Sequence, residues 1–109
     1  MMPCEVFLTA DAARDLDDLY QCIVRHDTPG GAERVLTGIE KALDSLTDSP
    51  DRGGYPKELL DLGIRDYREI FFKTYRVIYR VEGDRVYVFL IADGRCDMQA
   101  LLQRRLLDP

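Results

Sequence analysis

Residues 67–93, YREIFFKTYRVIYRVEGDRVYVFLIAD, hold three short apolar runs joined by turn residues. This stretch restricts the fold more than any other. The runs cover residues 67–72, 75–81 and 86–92, and their β-branched and aromatic content reads as three strands. Between the second and third lies Glu82-Gly83-Asp84, where glycine takes positive φ at little steric cost and aspartate bonds its own backbone. A β-hairpin is the expected result. Within the second run Tyr75, Val77, Tyr79 and Val81 alternate with Arg76, Ile78 and Arg80. Successive side chains of a strand point to opposite faces, so the pattern predicts one apolar face and one face carrying arginines.

The apolar face needs a cover, and the first half of the chain supplies it. Residues 4–8, CEVFL, read as an edge or outer strand, and Thr9 is placed to cap the helix that follows. From Ala10 the spacing becomes helical, with Ala13, Leu16, Leu19, Tyr20, Ile23 and Val24 on one side. Arg14, Asp15, Asp17 and Asp18 are expected to face away. The run Asp27-Thr28-Pro29-Gly30-Gly31 breaks this helix, with Thr28 as the next cap and Pro29 as the first helical residue. Ala32, Val35, Leu36, Ile39, Ala42, Leu43 and Leu46 then form one apolar stripe that ends near Ser49-Pro50. Two helices joined by so few residues form an antiparallel hairpin.

Residues 51–64 carry Gly53, Gly54 and Pro56 and read as a loop with one short turn near residues 58–62. After the strands, Asp97 is placed to cap a last helix with Met98, Leu101, Leu102 and Leu106 on its apolar side. Arg104 and Arg105 sit at its C-terminal end, where the macrodipole favours cations. The expected fold is α+β: an N-terminal strand, a helical hairpin, a three-stranded antiparallel sheet and a C-terminal helix, in a single domain of 109 residues.

Charge narrows the functional classes. The chain carries a net −5, and residues 1–49 hold four basic residues against ten acidic ones, a net of −6. Residues 50–109 hold eleven basic and ten acidic residues. A general basic field for capturing nucleic acid is absent. Cys4, Cys22 and Cys96 are odd in number and widely spaced, and with His26 as the single histidine they make neither a metal set nor a disulfide framework. Reduced thiols, no visible secretory signal and no long apolar run predict a cytoplasmic protein with no membrane span. Neither metal nor small-molecule cofactor is expected. His26 closes a helix beside Asp27 and reads as a helix-end partner, and no serine or cysteine has an activating neighbour in the sequence. The remaining chemistry lies in the arginines. Arg68, Arg76, Arg80 and Arg85 fall on consecutive strands, with Lys73 at a turn and Arg95 just after the last strand. Such a cluster can hold phosphates or the acidic segment of a protein. It can also be a solvated face paired with Glu69, Glu82 and Asp84.

Tyr75-Arg76-Val77-Ile78-Tyr79, the run Val86-Tyr87-Val88-Phe89-Leu90-Ile91 and Gly94-Arg95 together resemble the core of the RelE/ParE family of bacterial toxins from type II toxin–antitoxin systems. The opening FLTADAARDLDDLYQCI is similar to that family's first strand and helix. The resemblance implies a toxin held inactive by a cognate antitoxin. Its RelE-like branch cuts mRNA on the ribosome with a set of basic residues and often a Tyr or His on the last helix. Arg76 matches the strand arginine of that set and Arg68 replaces a lysine. Ile70 stands where a second lysine is expected, Cys96 where an arginine is expected, and Leu102 where the tyrosine would be. Arg68, Arg76 and Arg95 are the candidates in a ribosome-dependent endonuclease, but no acid–base pair accompanies them. The ParE-like branch binds DNA gyrase and needs a protein-binding surface. The run Gly94 to Leu102 is closer to that branch, although Asp97 at a cap needs no function to explain it. The expected function is therefore gyrase inhibition by binding, in a plasmid-stabilisation type of system. Arg76, Arg80, Arg95 and Lys73 are the expected target or antitoxin contacts. The mRNA endonuclease is the alternative, and a non-toxic degenerate binding module is the third.

Overall fold

The alternation seen in residues 75–81 becomes strand β3 (Tyr75–Glu82), paired antiparallel with β2 (Arg68–Phe72) and with β4 (Arg85–Asp93). A computed structural model describes residues 3–26 and 29–107. The β3–β4 turn places Gly83 at φ +62°, as the hairpin requires. The expected N-terminal strand joins this sheet as a fourth member, a pairing that the sequence did not assign. Strand β1 (Glu5–Leu8) runs parallel to β4, giving the order β1-β4-β3-β2 and a mixed sheet.

Helices α1 (Ala10–His26) and α2 (Pro29–Asp48) form the expected hairpin. Thr9 Oγ1 accepts from Ala12 N at 3.1 Å, so the first cap is made as predicted. The Thr28 cap lies outside the described residues. Ala32, Ile39, Leu43 and Leu46 of α2 are buried. Ile39, Leu43 and Leu46 pack with Ile70, Val77, Tyr79, Val86, Val88 and Ile91 of the sheet. None of the described helices is long and apolar enough to cross a membrane.

The other side of the sheet departs from expectation. It is not an open arginine face. A second apolar layer covers it, built from Leu59, Ile78, Leu90, Ala92, Met98 and Leu102. Leu59 comes from α3 (Lys57–Leu60), the short turn expected in the 51–64 loop. Met98 and Leu102 come from α4 (Met98–Leu102), capped by Asp97 through Ala100 N at 3.1 Å. The helix continues as a π-helical segment, Gln103–Leu107.

A register shift between Ile78 and Tyr79 makes both layers possible. Ile78 pairs with Leu90 and Tyr79 with Val88, so Phe89 is an extra residue in β4. Val86 and Val88 face the hairpin before the bulge, and Ile91 faces it after. Leu90 is thereby turned to the second layer. The pairing of β1 with β4 ends at Leu8 and Val88, so the outer edge of β4 beyond it has no strand neighbour, and two charged side chains take up its backbone groups. Ile91 N donates to Asp15 Oδ2 at 3.1 Å, and Arg105 Nη1 donates to Phe89 O at 3.0 Å. Arg105 and Asp15 also join in a two-pronged pair at 2.8 and 2.9 Å. Asp15 thus points inward, in contrast to its expected place on the solvent side of α1. The buried alanine is Ala12 rather than Ala13. Ala12, Asp15, Leu19 and Ile23 follow the helical period, so the inward stripe passes through the aspartate.

Arg105→Ala would leave Asp15, 15% exposed, and the Phe89 carbonyl without their charge-assisted donor. A loss of about 2 kcal/mol is expected. Urea unfolding checks it: a midpoint equal to that of the unaltered chain would show that the pair is dispensable.

Candidate functional site

The β2–β3 turn and the end of β4 meet because Tyr75 pairs with Asp93. This register places Lys73-Thr74 against Gly94-Arg95, and Gly94 N donates to Thr74 O at 2.7 Å. An open depression of about 410 Å³ forms there, lined by Lys57, Phe71, Lys73, Arg76 and Arg95, with Glu58 and Glu69 in its wall. Gly94 gives it room. A Cβ at that position would lie 2.9 Å from Arg76 Cδ and 3.0 Å from Thr74 O.

Arg76 is the centre of the wall and is only 8% exposed. Its Nη1 and Nη2 donate to the two oxygens of Glu58 at 2.8 Å each, and its Nε donates to Glu69 Oε2 at 2.9 Å. A second donor, Nη2, also reaches Glu69. The fork of the guanidinium suits this double carboxylate. Hydrogen bonding to Glu58 raises the Arg76 pKa well above its ordinary value, and hydrogen bonding to Arg76 lowers that of Glu58. Arg76 thereby ties α3 to β2 and β3, which is a structural duty.

The other expected contacts divide. Arg95 is held by Asp93, with Nη2 to Oδ2 at 2.6 Å, yet its side chain is 74% exposed. That hydrogen bond lowers the Asp93 pKa. Lys73 is exposed at the turn with φ +54°. Arg80 shares the face of Arg76, but four residues along an extended strand put it about 13 Å away, and it pairs with Glu82 at 3.3 Å. Arg68 lies on the opposite face. Its cross-strand partner is Tyr79, a residue of the hairpin-side core, and its guanidinium donates to Gly53 O at 2.8 Å. The structure therefore brings Lys73, Arg76 and Arg95 together, and leaves Arg68 and Arg80 out. Lys57 and Phe71 complete the depression. They were absent from the sequence-derived set, although the pairing of Phe71 with Arg76 follows directly from the β2–β3 register.

A second depression, of about 250 Å³, lies at the β1 edge on the hairpin side. Val6, Leu8, Leu16 and Leu43 line it, with Glu40 and Asp44 on its rim.

A helical hairpin on a four-stranded sheet that begins with a parallel edge strand is a fold found in solved bacterial toxin–antitoxin systems. The chain matches one from the chromosomal ParDE toxin–antitoxin system of P. aeruginosa with a TM-score of 0.69 at 22% identity, covering 83% of this chain and 95% of that one. It matches one from the toxin–antitoxin complex RelBE2 of Mycobacterium tuberculosis with a TM-score of 0.59 at 23% identity, covering 84% and 98%. In sequence it is 28% identical over 100 residues to Toxin ParE3 of Caulobacter vibrioides, covering 92% of this chain and 96% of that protein. Residues 6–98 match the family model of the ParE toxin of the type II toxin–antitoxin system parDE. The chain belongs to the ParE toxin family.

Removing Arg76 tests its structural duty. Arg76→Ala leaves Glu69, 11% exposed, without a countercharge, and a loss of about 3 kcal/mol is expected. Glu58 also sets a pH dependence. Its folded pKa is depressed, so its contribution is full above the unfolded value of about 4.3 and is lost as pH falls through the folded value. Glu58→Gln is expected to be less stable than the unaltered chain at pH 7, with the difference shrinking below about pH 4. Denaturant midpoints measured from pH 7 down to pH 3 check both outcomes.

Proposed function

We propose that this ParE-family chain is a cytoplasmic toxin that inhibits DNA gyrase by binding it, and that a cognate antitoxin neutralises it. Where the gene pair lies on a plasmid, the pair would stabilise that plasmid. The observation that carries the binding reading is the division of the cations between two faces. Arg68 looks toward the hairpin side, while Arg76 and Arg95 look the other way. A nuclease must gather positive charge around one scissile phosphate, and these three arginines do not converge on one. Arg76 is further engaged by two carboxylates. A toxin that works by occupying its target has no such requirement.

The antitoxin's seat in this proposal is the groove beside β1. As an edge strand, β1 has one side unpaired in the sheet and offers backbone groups to an added strand. Val6, Leu8, Leu16 and Leu43 provide apolar floor, and Glu40 and Asp44 give its rim a negative charge. A segment with apolar side chains flanked by basic ones is complementary to it, and the net −6 of residues 1–49 draws that segment in.

Purified chain is expected to inhibit gyrase supercoiling, with activity restored by antitoxin from the adjacent gene. Codon-specific cleavage of mRNA in a purified translation system would replace this reading with the enzymatic one. Harmless expression without the antitoxin, with no effect on gyrase, would leave a non-toxic binding module. Leu8→Asp places a carboxylate in the acidic groove and is expected to weaken antitoxin binding by at least about tenfold. Calorimetric titration measures this directly, and unchanged affinity would remove the groove from the proposal.

A further inference from the structure

We infer that the depression framed by Lys57, Phe71, Lys73 and Arg95 is the surface that grips the target, and that it takes an acidic protein segment bearing an apolar anchor. This rests on the binding reading above and adds the site and the chemistry of what it holds. Three independent features lead to it.

Phe71, which lines the site, is 56% exposed. A large aromatic ring left in water among cations is an anchor surface of the kind that protein interfaces use. It lies on the same face as Arg76, whose guanidinium carbon is 5.9 Å from the ring centroid. Lys73 holds φ +54°, a region in which residues other than Gly, Asn or Asp are uncommon. A glycine there would relieve the backbone, so the turn carries a lysine against its local preference. Strain of this sort concentrates at functional positions.

The third feature is the distribution of charge. Among the described residues neither Lys57 nor Lys73 forms an ion pair, while Arg76 is saturated by Glu58 and Glu69. Lys57, Lys73, Arg76 and Arg95 stand against Glu58, Glu69 and Asp93, a local net of +1 in a chain of net −5. A nucleic-acid backbone draws its affinity from many phosphate contacts in a row, and this depression offers only Lys57, Lys73 and Arg95 for them. A short carboxylate-bearing segment meets two unpaired ammonium groups and an exposed guanidinium, and its apolar side chain covers Phe71. The depression thus favours protein over nucleic acid.

The test uses the full chain, with purified gyrase as the first probe. Lys73→Glu with Arg95→Glu is expected to weaken gyrase binding by at least about tenfold, and Phe71→Ala to weaken it as well. Lys73→Gly removes the cation and relaxes the turn. It is expected to bind gyrase more weakly while melting at the same temperature or higher, an outcome that a merely structural lysine would not give. Gyrase binding unchanged in all of these variants, with the unaltered chain inhibiting, would overturn the inference and leave the gyrase reading intact. If the unaltered chain does not bind gyrase, the functional reading fails and a second arm decides the site. An isotope-labelled chain is titrated with a synthetic peptide in which Asp and Glu flank a Phe, and separately with a single-stranded RNA of equal charge. Peptide-induced shifts at the Lys73, Thr74 and Arg95 amides, weakening with salt, uphold the inference. No peptide shifts there, or tighter binding of the RNA, overturns it.

Discussion

Both hydrophobic layers depend on a single change of phase in β4. A regular strand would send Val86, Val88, Leu90 and Ala92 to one face. The extra residue at Phe89 instead gives Val86, Val88 and Ile91 to the hairpin and Leu90 and Ala92 to the layer under α3 and α4. Beyond Val88 the outer edge of β4 also loses β1 as its neighbour, and buried backbone groups without partners are expensive. Asp15 and Arg105, ninety residues apart, take up Ile91 N and Phe89 O and neutralise each other. The first helix, the central sheet and the C-terminal segment are therefore locked at one point.

Arg76 plays the matching part at the other end of the second layer. Its position on β3 makes it look like a free cation on an open face. In the folded chain, Glu58 reaches it from α3 while Leu59, the next residue, is buried under Ile78 and Leu90. The arginine and the leucine hold α3 against the sheet together, one by a paired charge and the other by apolar contact. Tyr79 does comparable work on the hairpin side. Its hydroxyl donates to Pro50 O at 2.7 Å and accepts from Gly53 N at 3.1 Å, fixing the start of the same loop. The 50–60 segment is thus pinned from both faces of β3, so the walls of the depression are set before anything binds there.

How much of this was legible in the sequence depends on whether a local period carried it. The α2 stripe and the β3 alternation were plain because each repeats over several turns or residues. Thr9 and Asp97 were plain as caps because the cap bonds are made within three residues. The β4 bulge was not, since an all-apolar run has no phase to read. The parallel docking of β1 was not, because four residues carry no partner signal. The burial of Arg76 was hidden for another reason: its partners lie 7 and 18 residues away, and residues 51–64 have no periodicity from which to place Glu58. Of the site, Lys73, Arg76 and Arg95 could be gathered from the hairpin register alone. The exclusion of Arg68 required the parity of β2 relative to β3, which the Arg68–Tyr79 pairing fixes.

The two proposed surfaces lie on opposite faces of the sheet and toward opposite edges, and this constrains how one partner can oppose the other. The acidic groove belongs to the β1 edge and the hairpin side, whereas Phe71 and Arg76 belong to β2 and β3 on the other side. Four strands spaced about 4.8 Å apart put β1 and β2 about 14 Å from each other. A partner seated only in the groove leaves the depression open to the target. A partner that also covers the depression must pass round an edge of the sheet. At about 3.3 Å per extended residue the width alone takes four or five residues, and the thickness of the covering layer takes more. An antitoxin that blocks gyrase by direct competition must therefore be an extended, wrapping chain. A compact one would have to work by its bulk, holding the target away from a depression that it does not touch.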